Sequence, residues 1–310
     1  MIKLVDILGG VTEGLVDYYI GPHTSSWHQT HSAAIDFTSP NVGSPFDGVT
    51  ARLGVQHLMY EGGQVDLLPY RPHFSADYAS PNQYVADYLT HQQSEDPWTN
   101  IQAAYRNQHV DRFIQLYDAN CTDDQHLNGL QSVLPQAIAL GIMGYPYLVP
   151  SAIGGSHYPP LSSPLQKLYK RWVQLVTFLP VMHFGSLPQQ YDQGTINMVN
   201  RYTDLHKTDI VPLIESIKHN VTSQLEPIVR PLWWYDPYDD VCVKTLDQFM
   251  VGDELLVAPV LDDSSKSRDV YLPTGRWLDE NLQTTHDGPQ WLVEYPANDD
   301  VIPYFRRVNV

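Results

Sequence analysis

Basic residues are scarce in this 310-residue chain: 18 Lys and Arg stand among 35 Asp and Glu, for a formal charge of −17. A phosphate backbone must be met by clustered cations, and here they are scattered, which excludes nucleic acid as a partner. No basic amphipathic stretch appears, so an anionic membrane surface is excluded as well. No run of 18 apolar residues exists, and the opening "MIKLVDILGG" reads as a short strand without the charged-then-apolar pattern of a signal peptide. No membrane contact is expected from the chain itself, and its compartment stays open. Only two cysteines occur, Cys121 and Cys242, far apart and in no metal spacing; whether they pair stays open.

Cofactor signatures are missing too. Three histidines, His23, His28 and His31, crowd "HTSSWHQTH", but there is no H-E-x-x-H and no acid at a supporting interval, so no metal is expected. There is no G-x-x-x-x-G-K-S/T phosphate loop, no G-x-G-x-x-G after a strand and no G-x-S-x-G elbow. No cofactor of any kind is expected. Two N-x-S/T sequons occur, at Asn120-Cys121-Thr122 and Asn220-Val221-Thr222.

What is present is a globular composition, 43% apolar and 17% charged, with 20 Tyr and 7 Trp. Aromatic faces serve sugar sites, though they fill cores more often. Apolar strand-like runs end in glycines or acids and are followed by helical spacing. "VQHLMY" ends at Glu61, and residues 82–104 carry helical spacing with Tyr84, Val85, Tyr88 and Leu89 on one face. "VDRFIQLYDAN" ends in Asp118 and Asn120, and "LQSVLPQAIALGIMGYPYLVPSAIGGS" reads as helix, then buried strand, then a Gly154-Gly155 mouth. "LYKRWVQLVTFLPVMHF" runs from an amphipathic helix into a strand ending near His183, and "INMVNRYTDLHKTDIVPLIESI" is a further helix. This rhythm is that of repeated βα units. From about residue 226 the texture changes to short β-prone runs between turns, such as "PIVRPLWWYDP" and "DQFMVGDELLVAPVL", which predicts an antiparallel sheet. Acids and polar groups at strand ends, namely Glu61, Asp118 with Asn120, Ser151 and His183, would then share one mouth, where α/β enzymes keep their chemistry.

The order of these motifs resembles glycoside hydrolase family 31, in particular the branch of its myogenesis-regulating glycosidase. "LMYEGGQVDLLP" falls on that branch's F-K-F-D-A-G-E strand with its Leu-Pro pair, and "AIDFTSP" on its D-F-T-(N/H)-P segment. "GYPYLVPSAIGG" is similar to G-Y-P-(F/L)-(I/L)-x-P-D-x-x-G-G, and "FLPVMHF" to F-M-P-A-M-Q-F. "PIVRPLWW", "DQFMVGDELLVAPVL" and "RDVYLPTGRW" match the sheet domain that follows the barrel. The resemblance implies an α/β fold: a partial (β/α)8 TIM-type barrel with its first strands missing over residues 1–226, then an antiparallel β-sandwich domain over 227–310. It implies a carbohydrate ligand, an α-glucoside or α-galactoside, and a retaining reaction in which two carboxyl groups about 5 to 5.5 Å apart act as nucleophile and acid/base. It says nothing of oligomeric state.

Carried onto this chain, the nucleophile position is Glu61 instead of Asp, and Gln64 replaces the acid that ends D-A-G-E. The acid/base position falls on Asn120, with Asp118 two residues upstream and Asp123 or Asp124 reachable if the loop shifts. Ser151 takes the place of an aspartate that binds sugar. Arg106 fills the active-site arginine, Trp27 an aromatic wall, and His183 a substrate-holding segment where the branch has Gln. The longer arm of Glu displaces the attacking oxygen, and a misplacement of about 1 Å costs on the order of 10²-fold in rate. An amide exchanges no proton at neutral pH, and loss of a general acid costs roughly 10² to 10⁴. A weakened or absent hydrolase activity is expected, leaving either a slow glycosidase or a non-catalytic binder of glycan or a partner. A glycan on Asn120 would itself block a sugar pocket.

Overall fold

The computed structural model describes residues 37–38, 59–60, 63–65, 68, 74, 76–91, 99–110, 112–117, 119–122, 124, 128–155, 165–224, 226–262 and 264–308. Two compact units divide between Gln115 and Leu116. In the first, strands β1 (Met59–Tyr60), β2 (Asn100–Ile101) and β3 (Phe113–Gln115) pair in parallel, Tyr60 opposite Ile101 and Ile101 opposite Ile114. Parallel neighbours need a crossover, and helix α1 (Pro81–His91) lies within the one from β1 to β2. Its Tyr84, Val85, Tyr88 and Leu89 are all buried, as their spacing predicts. The helical expectation over 82–104 runs too far, because fully buried Ile101 pairs on both sides as a strand residue. Gly63 has φ +84°, and a Cβ there would stand 2.5 Å from Tyr88 Cδ1, so the turn after β1 lies directly on the α1 ring and admits only glycine.

In the second unit, helix α2 (Leu130–Ile142) buries Leu130, Val133, Leu134 and Ala137. Strand β4 (Leu148–Val149) follows, its Val149 carbonyl accepting from Leu116 N–H at 2.8 Å. Helix α3 (Gln166–Thr177) places Trp172, Val173 and Val176 in the core. The strand expected at "VMHF" is a single parallel bridge, Ile153 with Phe184. Helices α4 (Gln193–Leu205) and α5 (Val211–Gln224) are joined without interruption by one π turn, His206–Ile210, so the expected helix is one rod over 193–224.

The remaining strands are β5 (Val229–Pro231), β6 (Phe249–Val251), β7 (Leu255–Val257), β8 (Ser267–Asp279), β9 (Thr284–Pro296) and β10 (Tyr304–Arg307). They form one antiparallel sheet of order β5-β6-β7-β10-β8-β9. Side chains alternate across it. Val229, Phe249, Val251, Leu255 and Val257 join the core of the helices, while Met250, Leu256, Val270, Leu272, Trp277 and Phe305 build a second core on the other face. That second face is covered by two short helices, α6 (Leu232–Tyr235) and α7 (Asp240–Lys244), through Leu232 and Cys242. Among the described residues the expected two-sheet sandwich is therefore a single sheet with a helical cover. The β-prone reading of "RPLWWYDP" also gives way after Pro231, which has no N–H to extend a ladder and instead N-caps α6.

Candidate functional site

Trp27, Glu61 and Asp118 lie outside the described residues, as do the alternative Asp123 and the three clustered histidines. Arg106 belongs to the first unit; Asn120, Ser151 and His183 belong to the second.

In the first unit the C-terminal strand ends carry carboxamides. Gln102 N–H, just past β2, donates to Tyr60 O at the end of β1 (3.2 Å), and Gln64 Nε2 donates to Gln102 Oε1 (3.1 Å). Gln64 Oε1 is buried and has no partner among the described residues. Arg106 is exposed at φ 58°, with its guanidinium 5.2 Å from the Tyr105 ring centre.

In the second unit the loop after β3 is closed by backbone bonds. Asn120 N–H donates to Asn128 O, and Leu130 N–H to Thr122 O, both at 2.7 Å. Gly155 (φ +77°) packs directly on that loop: a Cβ would sit 2.7 Å from Cys121 N and 2.8 Å from Asn120 C. The glycine-rich mouth and the Asn120 segment are thus one contact, 35 residues apart in sequence. Next to it, Ile153 N–H donates to His183 O at 2.7 Å, and Gly185 and Ser186 N–H donate back to Ile153 O. Ser151 is 1% exposed, and its Oγ has no partner among the described residues; His183 Nδ1 is likewise buried and unpartnered there.

Behind the loop lies an aromatic pair that the sequence reading did not single out. Tyr169 and Tyr191 stack at 4.4 Å, and Tyr169 OH donates to Ser186 O (3.0 Å). Burial, and then the nearby Cys121, push the Tyr191 hydroxyl up to about 12. It therefore stays neutral near pH 7. Nothing local in "LPQQYDQGT" distinguishes Tyr191; the ring stack is made by helix α3 returning beside it. Cys121 and Cys242 are both free thiols.

A separate groove of about 610 Å³ lies between α2 and the loops around β7 and β8, lined by Pro135, Ile138, Trp233, Leu246 and Leu261. Its carboxylates are engaged, Asp247 with Arg268 (2.9 Å) and Asp262 with Ser264 and Ser265. They form no free acid pair. Among the described residues no group of three His, Cys, Asp or Glu could hold a metal, and no helix is long and apolar enough to cross a membrane.

The described strands form a four-stranded parallel sheet followed in sequence by a six-stranded antiparallel one. Residues 225–310 match the glycosyl hydrolase family 31 C-terminal domain. The chain is 30% identical over 300 residues to the mouse myogenesis-regulating glycosidase, covering 92% of this chain and 41% of that protein. It is 35% identical over 202 residues to the SITS-binding protein of Tetronarce californica, covering 64% of this chain and 29% of that one. Among solved structures, a family 31 α-xylosidase from a soil metagenome, complexed with xylose, superposes with a TM-score of 0.76 at 21% identity, over 99% of this chain and 50% of that one. A cycloalternan-forming enzyme of Listeria monocytogenes does so at 0.78 and 20%, over 96% of this chain and 30% of that one. The chain belongs to glycoside hydrolase family 31, and it spans less than half the length of these curated relatives.

Proposed function

We propose that this chain supplies an α-glycoside pocket of family 31 whose acid/base chemistry is weakened, so that it holds an α-glucoside or α-galactoside and cleaves it slowly. In this reading Glu61 is the nucleophile, Asp118 the remaining acid/base candidate and Asn120 the amide in the family's acid/base position. Trp27, Arg106, Ser151 and His183 are its proposed sugar-binding residues. Residues 1–226 are the proposed barrel portion and 227–310 the domain that follows it in sequence.

The observation that carries the reading is Asn120 itself. Its N–H is bonded to Asn128 O and its carbonyl side abuts Gly155, so the loop is held in register by backbone contacts. A shift that would bring Asp124 into its place must break them; Gly129 N–H, bonded to Asp124 O at 2.8 Å, ties that residue down as well. A binding role is supported by Ser151 Oγ and His183 Nδ1. A buried polar atom left without a partner costs about 1–3 kcal/mol, and ligand hydroxyls would satisfy both.

Turnover of aryl α-glucoside and aryl α-galactoside tests it. Rates at least about 10²-fold below an intact family member are expected, and Asn120→Asp should recover part of that loss. A turnover number of about 1 to 10³ per second for the unmodified chain would refute the impairment. Glu61→Gln should remove whatever hydrolysis remains while sugar binding persists; unchanged turnover in that variant rules Glu61 out as nucleophile.

A further inference from the structure

We infer that Asn220 is an N-glycosylation site and that the chain carries its glycan there and not at Asn120. The two sequons sit in opposite circumstances. Asn120 lies on the loop that packs against Gly155, at the mouth of the proposed pocket. Asn220 lies in the last two turns of α5 and is exposed, as is Thr222, while the intervening Val221 is 1% exposed and anchors the helix to the core. Because a helix turns about 100° per residue, burying Val221 directs its two neighbours to either side and outward. The Thr222 hydroxyl rests on the carbonyls of Lys218 and His219 at 3.1 Å, an arrangement that leaves Asn220 free of it.

The rod over 193–224 puts distance between the two sequons. Its first residues belong to the mouth side of the unit: Asp192 and Thr195 accept from Gln166 Nε2 at the start of α3 (2.8 and 2.7 Å), and Tyr169 one turn on reaches Ser186 O. Asn220 is 27 residues further along, about 40 Å of helical path at 1.5 Å per residue. A branched, hydrated glycan at that end leaves the mouth open, and the fold keeps the helix beneath it through Leu213, Ile214 and Val221. In the attachment step the Asn220 carboxamide nitrogen bonds to the anomeric carbon of a lipid-pyrophosphate-linked oligosaccharide. The bond from that carbon to the pyrophosphate oxygen breaks, the nitrogen gives up one proton, and the lipid pyrophosphate departs.

The experiment is an intact-mass and gel-mobility measurement on the full-length protein from its own cells, before and after an enzyme that removes N-glycans. A mass loss that disappears in both Asn220→Gln and Thr222→Ala, and persists in Asn120→Gln, is the expected result. The Thr222→Ala variant keeps the asparagine, so agreement between the two separates a lost glycan from a misfolded chain. No mass loss in the unmodified protein, or a loss that survives both substitutions or vanishes with Asn120→Gln, overturns the assignment.

Discussion

A single capping side chain sets a measurable pH dependence. Asp192 caps α4, its Oδ1 accepting from Thr195 N–H at 2.8 Å, and that bond, then those from Gln166 and Thr195 side chains, pulls its pKa from 3.8 down to about 2. A carboxyl depressed in the folded state adds stability above its unfolded value and loses it as pH falls through the folded one. The stability advantage of the unmodified chain over Asp192→Asn should thus be constant above pH about 4 and shrink toward pH about 2. Urea midpoints of both proteins across that range check it, and a difference that does not change with pH would count against the cap. The helix expected at "INMVNRYTDLHKTDIVPLIESI" begins three residues earlier, at Gln193, directly behind this cap. Ser151 is a different case: a serine after a proline says nothing of itself, and its isolation appears only when the surrounding chain has been placed.

At the scale of elements, local pattern was a good guide where an element is amphipathic and a poor one where neighbours compete. The α1 face follows a 3.6-residue period and was readable. The short strands β2 and β4 are two residues each, too brief for any period, and only their pairing defines them. The Gly154-Gly155 mouth was expected from sequence, but not its contact with Asn120 and Cys121. That contact yields a direct test. Gly155→Ala adds a Cβ at φ +77° against backbone atoms 2.7 to 2.9 Å away, none of which can rotate aside. A loss of about 2 kcal/mol or more in stability is expected, with weaker sugar binding as the Asn120 loop is pushed out. Denaturant midpoints and ligand titration read the two effects separately; a variant with both intact would show that the loop does not rest on residue 155.

In the second unit, one buried side chain ties helix α3 to the loops before β8 and β10. Arg171 on α3 is 1% exposed and donates to the carbonyls of Ser265 (2.7 Å), Ala297 (2.8 Å) and Asn298 (2.9 Å). Lys170 binds Asp300, Gln174 reaches Asp299 O, and Tyr202 reaches Asp300 O, so one loop before β10 is gripped by two helices. Arg171→Met strands several buried carbonyls and should cost about 3–5 kcal/mol. Arg171→Lys should fall between, since an ammonium cannot span three acceptors as a guanidinium does. A urea midpoint unchanged by the Met variant would refute the clamp. The sequence by itself determined the helices over 130–142, 166–177 and 193–224, the antiparallel strands after about residue 226, the acidic composition and the family resemblance. Each of these is encoded by residues a few positions apart, or by composition. Only the tertiary structure decided that Arg171 meets carbonyls 94 to 127 positions away, that a single sheet has a core on each face, and that Gly155 closes on Asn120. Such contacts depend on where the folded chain returns to itself, and no short stretch of residues carries that information.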